Sequence, residues 1–562
     1  MHRARYAALR RRACIAQRAL RRSTGARKGA RERHGVHFSS LLFGLLTTIV
    51  VVAVIAKRFA IPYPIAFVIG GSVLAFVPSL PTLQLNPELV FLIFLPPLLY
   101  SGGWLTDWKM FRDNARPIGL LAIGLVAVTT GAVAIVAHAL VPNLPWASAF
   151  VLGAIVSPPD AVAAGAVFER FSVPRRIVAI LDGEGLVNDA MALVIYRFAV
   201  AAALTGTFSL GNASLAFAGV SVGGVVIGLL LGALLVEVTV TLRARGLSDS
   251  LIDNALQLIV PYAVYLSAEM LHTSGVLATV AAAIYVSRQS GRMYEPEGRL
   301  VASAVWNLLI FLLNGLVFLL IGLQLRDIVH DPSFVGRELW IGLTISALVI
   351  AVRVAWVFPA TYLPRLLFPR IAAREGVPTP SYIFVLGWSG MRGIVSLAAA
   401  LAIPTLTGSG ARFPGRNEIV FITFCVIFVT LVFQGLSLIP LLRWLHIEAD
   451  DDMDAREIEV RVAALRAGIA RMRVLEPNFE STEEWEVEGR LLGEYEYRIA
   501  HLVGHLDGSI DEGAVALDHR LQQEALDAER VAVTRMRDAG EIPDEIYRRV
   551  QYDLDLAAER LT

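Results

Sequence analysis

The sequence predicts an all-α polytopic membrane protein, with about thirteen transmembrane helices built as inverted repeats, two broken crossing helices, and a helical cytoplasmic tail. Three observations carry that prediction. Of the 562 residues 56% are hydrophobic and 18% charged, with a mean hydropathy of +0.60. Apolar runs of about 20 residues recur, the length a helix needs to cross a hydrocarbon core of roughly 30 Å. The charges are segregated between and after these runs, so the net charge of +1 says little about partners.

Residues 1–36 come first and fit least well. They carry twelve Lys/Arg and a single acid, Glu32. Such a stretch resists export and reads as a disordered basic tail or an over-extended start, with no function assigned to it and no nucleic-acid partner inferred from it.

The apolar body, residues 37–446, holds thirteen apolar runs: 40–56, 60–78, 88–106, 117–140, 146–166, 181–204, 211–240, 251–269, 271–287, 301–325, 338–362, 381–404 and 417–440. Loop charge orients them. The loops after runs 1, 3, 5, 7, 9 and 11 hold sixteen Lys/Arg, and the intervening loops hold four. Basic loops face the cytoplasm, which places the chain after residue 440 inside and, with an odd count, the N-terminus outside. Residues 447–562 change character: helical periodicity, dense charge and no lysine, with "DAGEIPDE" separating the last two helices. This soluble tail reads as regulatory or as an assembly element.

Chemistry enters where polar groups sit at membrane depth. Each ionisable side chain there costs roughly 2.5 to 3.5 kcal/mol on insertion scales, so it normally faces a bundle interior or a watery path. The fifth run, "ASAFVLGAIVSPPDAVAAGAVFER", carries Ser157, Pro158, Pro159 and Asp160 near its middle. Two prolines remove backbone donors and break regular helix, leaving carbonyls that are tolerable only beside a cavity or an ion. The twelfth run is interrupted by Gly387, Gly390 and Gly393 around Arg392. Broken segments at matching places in two halves point to a transporter site between repeats.

The sixth run carries "LDGEGLVNDA". On a helix Glu184 and Asn188 are four apart and share a face, with Asp189 about 100° round. Asp189 can then approach Asp160, while Glu184 turns to the one charge in the middle of the eleventh run, Arg353, which needs a buried partner. Two carboxylates beside an amide and freed carbonyls form an all-oxygen site for a hard monovalent cation. Close carboxylates repel, so one of them readily takes a proton, and Na⁺ and H⁺ compete. Against this stands a structural reading, in which Asp160 and Asp189 cap broken helices and Glu184–Arg353 is a fixed pair. His138 and His272, near span ends, read as interfacial, and Asn314 as a packing residue that bonds across helices. Cys14 and Cys425 lie too far apart in context for a disulfide or metal framework. No G-x-x-x-x-G-K-[ST] loop occurs, and no nucleophile, base and orienting residue appear together, so neither an ATP-driven pump nor an enzyme is indicated.

Seven stretches in order resemble the monovalent cation:proton antiporter-1 family of sodium/proton exchangers: "FLIFLPPLLY" (91–100), "SPPDAVAA" (157–164), "GEGLVNDA" (183–190), "SGVLATVAAAI" (274–284), "FLLNGLVFLLIGLQL" (311–325), "GWSGMRGIVSLA" (387–398) and "VTLVFQGLSLIPLLRWL" (429–445). The resemblance implies a homodimer with an elevator-type core, exchanging one Na⁺ (with Li⁺ or K⁺ as further candidates) for one H⁺ at the cell membrane in pH and sodium homeostasis, without a cofactor. It implies that Asp189, next to Asn188, carries cation and proton, that Asp160 is its acidic neighbour on the crossing helix, that Glu184–Arg353 is a buried salt bridge, and that Ser157, Pro158, Pro159 and Arg392 support the crossing. A K⁺/H⁺ antiporter, or a channel or sensor with a regulatory tail, are the alternatives. Relatives that carry two protons place a second aspartate at position 188 and a lysine at 353. Asn188 cannot titrate and Arg353 stays charged, which predicts electroneutral exchange. Gly185 and Pro159 stand where some relatives have hydroxyl residues near the ion, which bears on the preference between Na⁺ and K⁺.

Overall fold

The computed structural model describes residues 43–77, 87–168, 171, 173–206, 210–294, 296–326, 336–407, 410–447, 451–475, 481–507 and 512–559. The basic stretch 1–36 lies outside the described residues. The chain divides into two units, Met1–Ala449 and Asp450–Thr562. Apart from one isolated bridge between Leu406 and Arg412, the regular elements among the described residues are helices.

In the first unit the helices are α1 (43–58), α2 (Tyr63–Ala75), α3 (Pro87–Leu105), α4 (Ala115–Leu140), α5 (Trp146–Val156), α6 (Ala161–Phe168), α7 (Arg175–Thr205), α8 (Leu210–Ala244), α9 (Ser250–Met270), α10 (Gly275–Arg288), α11 (Pro296–Leu323), α12 (Arg337–Leu367), α13 (Pro380–Trp388), α14 (Ile394–Leu401) and α15 (Arg416–Trp444). Among the described residues eight helices are long and apolar enough to cross a bilayer, with α5 and α6 taken as one, and three more are apolar but shorter. That is fewer than the thirteen expected from hydropathy. The run at 381–404 accounts for part of the difference, because it folds as two short helices, α13 and α14, with the glycine-rich turn between them. The expected division near residue 270 falls between α9 and α10, where His272 adopts φ 56° and the Ser274 hydroxyl accepts from the Leu277 amide to start α10.

Small residues let the bundle close tightly. Gly71 of α2 and Gly322 of α11 face each other, and a methyl on either would run into the opposing backbone, at the Leu319 and Val68 carbonyls. Where lipid supplies no hydrophobic drive between helices, such backbone approach is the main source of packing. Ile49, Phe67, Leu313, Val317 and Phe318 extend this contact into the largest buried cluster.

On the basic-loop side one carboxylate gathers three helix ends. Glu375, at the end of a short helix Pro369–Glu375, pairs with Arg116 of α4 at 2.5 Å and Arg365 of α12 at 3.0 Å. Arg176 at the start of α7 donates to the Glu375 carbonyl and to Asn114, each at 3.0 Å. Burial pushes the Glu375 carboxyl up, but the hydrogen bond and charge of Arg116, with Arg365 and Arg176, outweigh it and hold the group below the usual glutamate range.

The second unit is helical throughout its described length: α16 (Asp451–Leu475), α17 (Thr482–Asp507), α18 (Glu512–Asp538) and α19 (Asp544–Glu559). They pack in pairs. Gly468 of α16 lies under Tyr495 of α17, and Arg530 of α18 pairs with Asp555 of α19 at 2.8 Å. The break at "DAGEIPDE" is made by Gly540, at φ 73°.

Candidate functional site

The two broken helices meet at the centre of the first unit. α5 stops at Val156 because Pro158 and Pro159 have no amide to continue it. Ser157 folds its hydroxyl back to the Ala154 carbonyl at 3.1 Å. The chain resumes as α6, and the Asp160 carboxylate caps it, accepting from the Val162 amide at 3.0 Å. Opposite, the chain between α13 and α14 runs in an extended turn over Ser389–Gly393. The two unwound stretches are joined directly, the Asp160 amide donating to the Met391 carbonyl at 2.6 Å. Gly393 makes this approach possible, since a Cβ there would overlap the Asp160 carboxylate.

Arg392 closes the crossing from behind. It is fully buried, and its guanidinium donates to the Val156 carbonyl at 3.1 Å and to the Gly390 carbonyl. These are the terminal carbonyls of α5 and of the turn after α13, so the positive group sits where two helix C-termini concentrate partial negative charge. The Arg392 amide donates to Thr430 at 3.0 Å, and Gln434 donates to the Trp388 carbonyl at 3.0 Å. Both side chains come from a π-helical turn in α15, Val429–Gln434, whose extra residue turns them toward the crossing.

Glu184 and Arg353 form a bidentate pair at 2.5 and 2.8 Å, with neither side chain exposed. Arg353 also donates to the Leu386 carbonyl at 3.3 Å. The pair lies apart from the cavity that holds the two aspartates. That cavity, of about 650 Å³, is lined by Pro158, Pro159, Asp160 and Asp189, with Gly393 to Ser396 opposite. Asn188 stands behind them: its amide donates to the Pro159 carbonyl at 2.9 Å, and its buried Oδ1 has no partner. Two aspartates and the proline turn therefore converge on one hollow, with the unpartnered Asn188 oxygen buried next to that turn.

The hollow extends toward the basic-loop side of the bundle. Its walls run to Tyr63, Leu105, Phe168 and Val178, residues at the helix ends that adjoin the basic loops. Going the other way along α7 from Asp189, Ala190 and Leu193 belong to an apolar cluster with Val276 and Tyr265. One turn further, Arg197 holds Glu269 of α9 by two hydrogen bonds of 2.9 and 3.1 Å.

Several further polar groups line the cavity beyond those the sequence predicts there. Asn314, expected to be a packing residue, lines the cavity, as do Asn307 on the same helix and Asp182 on α7. The signal was present as spacing: 182 and 189, and 307 and 314, are each seven apart, so each pair shares a helix face. His138 stacks on Trp146 with ring centroids 4.2 Å apart, near a helix end as expected for an interfacial residue. Cys425 is a buried free thiol. At position 185 a side chain has no room, because a Cβ there would lie 2.7 Å from the Ala161 methyl. α6 thus fills the space a hydroxyl would need.

The family model for the transmembrane sodium/hydrogen exchanger matches residues 45–444. A Na⁺/H⁺ exchanger of Escherichia coli K12, YjcE, is 33% identical over 93% of this chain and 98% of its own length. A sodium, potassium, lithium and rubidium/H⁺ antiporter of Bacillus subtilis is 35% identical over 69% of this chain and 59% of its own. The fold is that of the sodium proton antiporter MjNhaP1 of Methanocaldococcus jannaschii, with a TM-score of 0.55 at 17% identity, over 72% of this chain and 98% of that one.

Proposed function

This chain belongs to the sodium/hydrogen exchanger family and is a multi-pass membrane protein that exchanges cations for protons, and on that premise we propose that Asp189 is the group that alternates between the two. The observation that carries the proposal is the convergence of Asp189 and Asp160 on a single cavity, with the unpartnered Asn188 oxygen buried behind its proline wall.

Na⁺ is a hard cation that takes oxygen ligands. The oxygens here are the Asp189 and Asp160 carboxylates, the Asn188 amide and a carbonyl of the proline turn. With both carboxylates charged the site attracts a cation. Without one, the repulsion between them is relieved by a proton. Binding one therefore displaces the other, which couples the two fluxes. The cation is substrate, and the cycle makes no use of a cofactor or of covalent chemistry. Electrogenic exchange would need a second titrating group. Asn188 cannot supply it, and the only group at position 353 is an arginine already paired with Glu184. One Na⁺ for one H⁺ follows.

The absence of a side-chain ligand at position 185 leaves coordination to groups that also tolerate a larger ion, and the Bacillus relative is described as acting on potassium as well as sodium. K⁺/H⁺ exchange by the same site is accordingly the second reading. The basic loops orient the open end of the cavity, and Asp450–Thr562, toward the cytoplasm of the cell membrane. Thirteen crossings and a homodimeric assembly complete the proposal, with a role in pH and sodium homeostasis.

The test is an acid-loaded proteoliposome containing the full chain. Adding Na⁺ outside should dissipate the proton gradient, and Asp189→Asn, which keeps the shape and removes the titrating charge, should abolish the response. A variant that exchanged at the wild-type rate would show that another group carries the ions.

A further inference from the structure

The cavity holds one carboxylate that the exchange cycle above leaves unused. Asp182 lies on α7 seven residues before Asp189, about 10 Å nearer the open end at 1.5 Å per residue, and on the same helix face. It lines the same cavity and is exposed to it. Among the described residues it takes part in no ion pair or hydrogen bond, unlike Glu184 on the opposite face, which is locked to Arg353. Across the cavity α11 repeats the spacing with two amides, Asn307 and Asn314, and Asn307 is likewise exposed. The hollow thus has polar groups at two depths. The inner set is Asp160, Asp189 and Asn314, and the outer set is Asp182 and Asn307. Between them the lining is apolar, with Leu98, Leu186 and Phe311.

The mouth creates a need for the outer set. Lys57 and Arg58 at the end of α1, and Lys109 and Arg112 in the short helix Trp108–Asp113, are exposed and lie close in sequence to the rim residues Tyr63 and Leu105. Asp107 and Asp113, exposed at the two ends of the same short helix, offset part of that charge, and the balance of these six groups is positive. A carboxylate inside a low-dielectric funnel reverses that field locally and concentrates cations where they must wait. The carboxylates at the two depths are separated by about a Debye length at physiological salt, roughly 8 Å, so an ion held at Asp182 is within electrostatic reach of Asp189.

We propose that Asp182, with Asn307 on the far wall of the same cavity, is a loading station that captures the monovalent cation from the open side before it passes to Asp189. This rests on the antiport reading above and adds to it a residue that sets cation affinity from one side of the membrane. Asp182 is a positioning residue for the ion. It takes no part in the proton–cation switch and has no partner whose loss would unfold the protein.

The prediction is an asymmetric change. Na⁺-driven proton movement is measured in everted vesicles, which present the cytoplasmic face outward, and in right-side-out vesicles from cells expressing the full chain. Asp182→Asn should raise the half-saturating Na⁺ concentration about 3- to 10-fold in everted vesicles, at the low end of what focusing supplies, with the maximal rate kept. Right-side-out vesicles should show no change. The shift should shrink as choline chloride is added, because salt screens the captured field, and Asp182→Glu should restore the wild-type value. An unaltered Na⁺ dependence in everted vesicles, an equal shift from both sides, or a lowered maximal rate would each overturn the proposal. Failure of the wild-type protein to exchange at all would instead refute the antiport reading itself.

Discussion

Replacing Glu184 by glutamine tests how the centre of the bundle is held together. Glu184 and Arg353 are both fully buried, and their two hydrogen bonds are 2.5 and 2.8 Å long. Removing one partner of a buried pair costs on the order of 3–5 kcal/mol, because the other is left as an uncompensated charge. Here a second cation makes matters worse. A Cβ on Gly390 would touch both the Arg353 side chain and the Arg392 guanidinium, so two buried arginines share the neighbourhood of one carboxylate. Glu184→Gln should therefore fall at the upper end of that range. The assay is thermal unfolding of detergent-purified protein, followed by its remaining monodisperse fraction. The variant should lose solubility at a clearly lower temperature than wild type. The double variant Glu184→Gln/Arg353→Met, which removes both charges, should recover much of the loss, since apolar replacement of a buried pair is often close to neutral. If the single variant were as stable as wild type, or the double variant no better than the single, the pair would not be the electrostatic anchor described. A Glu184→Gln protein that was stable yet bound no cation would mean that Glu184 and Asp189 have exchanged roles.

Two further predictions follow from the geometry. Gly393→Ala places a methyl against the Asp160 carboxylate. Overpacking of this kind costs typically about 1–3 kcal/mol, and the carboxylate must move, so exchange in proteoliposomes should drop severely while the protein still purifies as a folded species. Wild-type rates would show that the two crossing turns are less tightly apposed. Glu375 supplies a pH test: its folded-state carboxyl is held below the usual range, so its stabilisation is complete above the ordinary glutamate range and is lost as pH falls through the depressed value. Glu375→Gln should lower thermal stability at neutral pH and lose that difference in strong acid. A difference independent of pH would contradict the assignment.

Much of this architecture was legible in the sequence, and the parts that were not share a cause. The break at Pro158–Pro159 could be read directly, since a residue without an amide cannot continue a helix. The Glu184–Arg353 pair could be anticipated because a lone buried cation needs an anion at similar depth. Arg392 had no such visible partner. Its acceptors are carbonyls, which every residue carries, so composition gives no sign of them. The clasp at Glu375 joins the ends of α4, α7 and α12, and helix ends far apart in sequence meet only once the bundle is packed. Asp182 is inconspicuous beside three more crowded polar neighbours, and Asn314 gives no sign of its place, because a single polar residue on an apolar helix looks the same whether it faces a neighbour or a hollow. Reading 182 with 189 and 307 with 314 as seven-residue pairs would have found both.

The central claim is that one carboxylate, Asp189, alternates between one monovalent cation and one proton, with no second titrating group in the cycle. It is tested most directly by measuring Na⁺-driven proton movement in proteoliposomes while a membrane potential of either sign is imposed with K⁺ and valinomycin. The rate should be the same at every potential in wild type and absent in Asp189→Asn. An exchange rate that rises or falls with voltage would show that net charge moves in each turnover and would contradict one-for-one exchange.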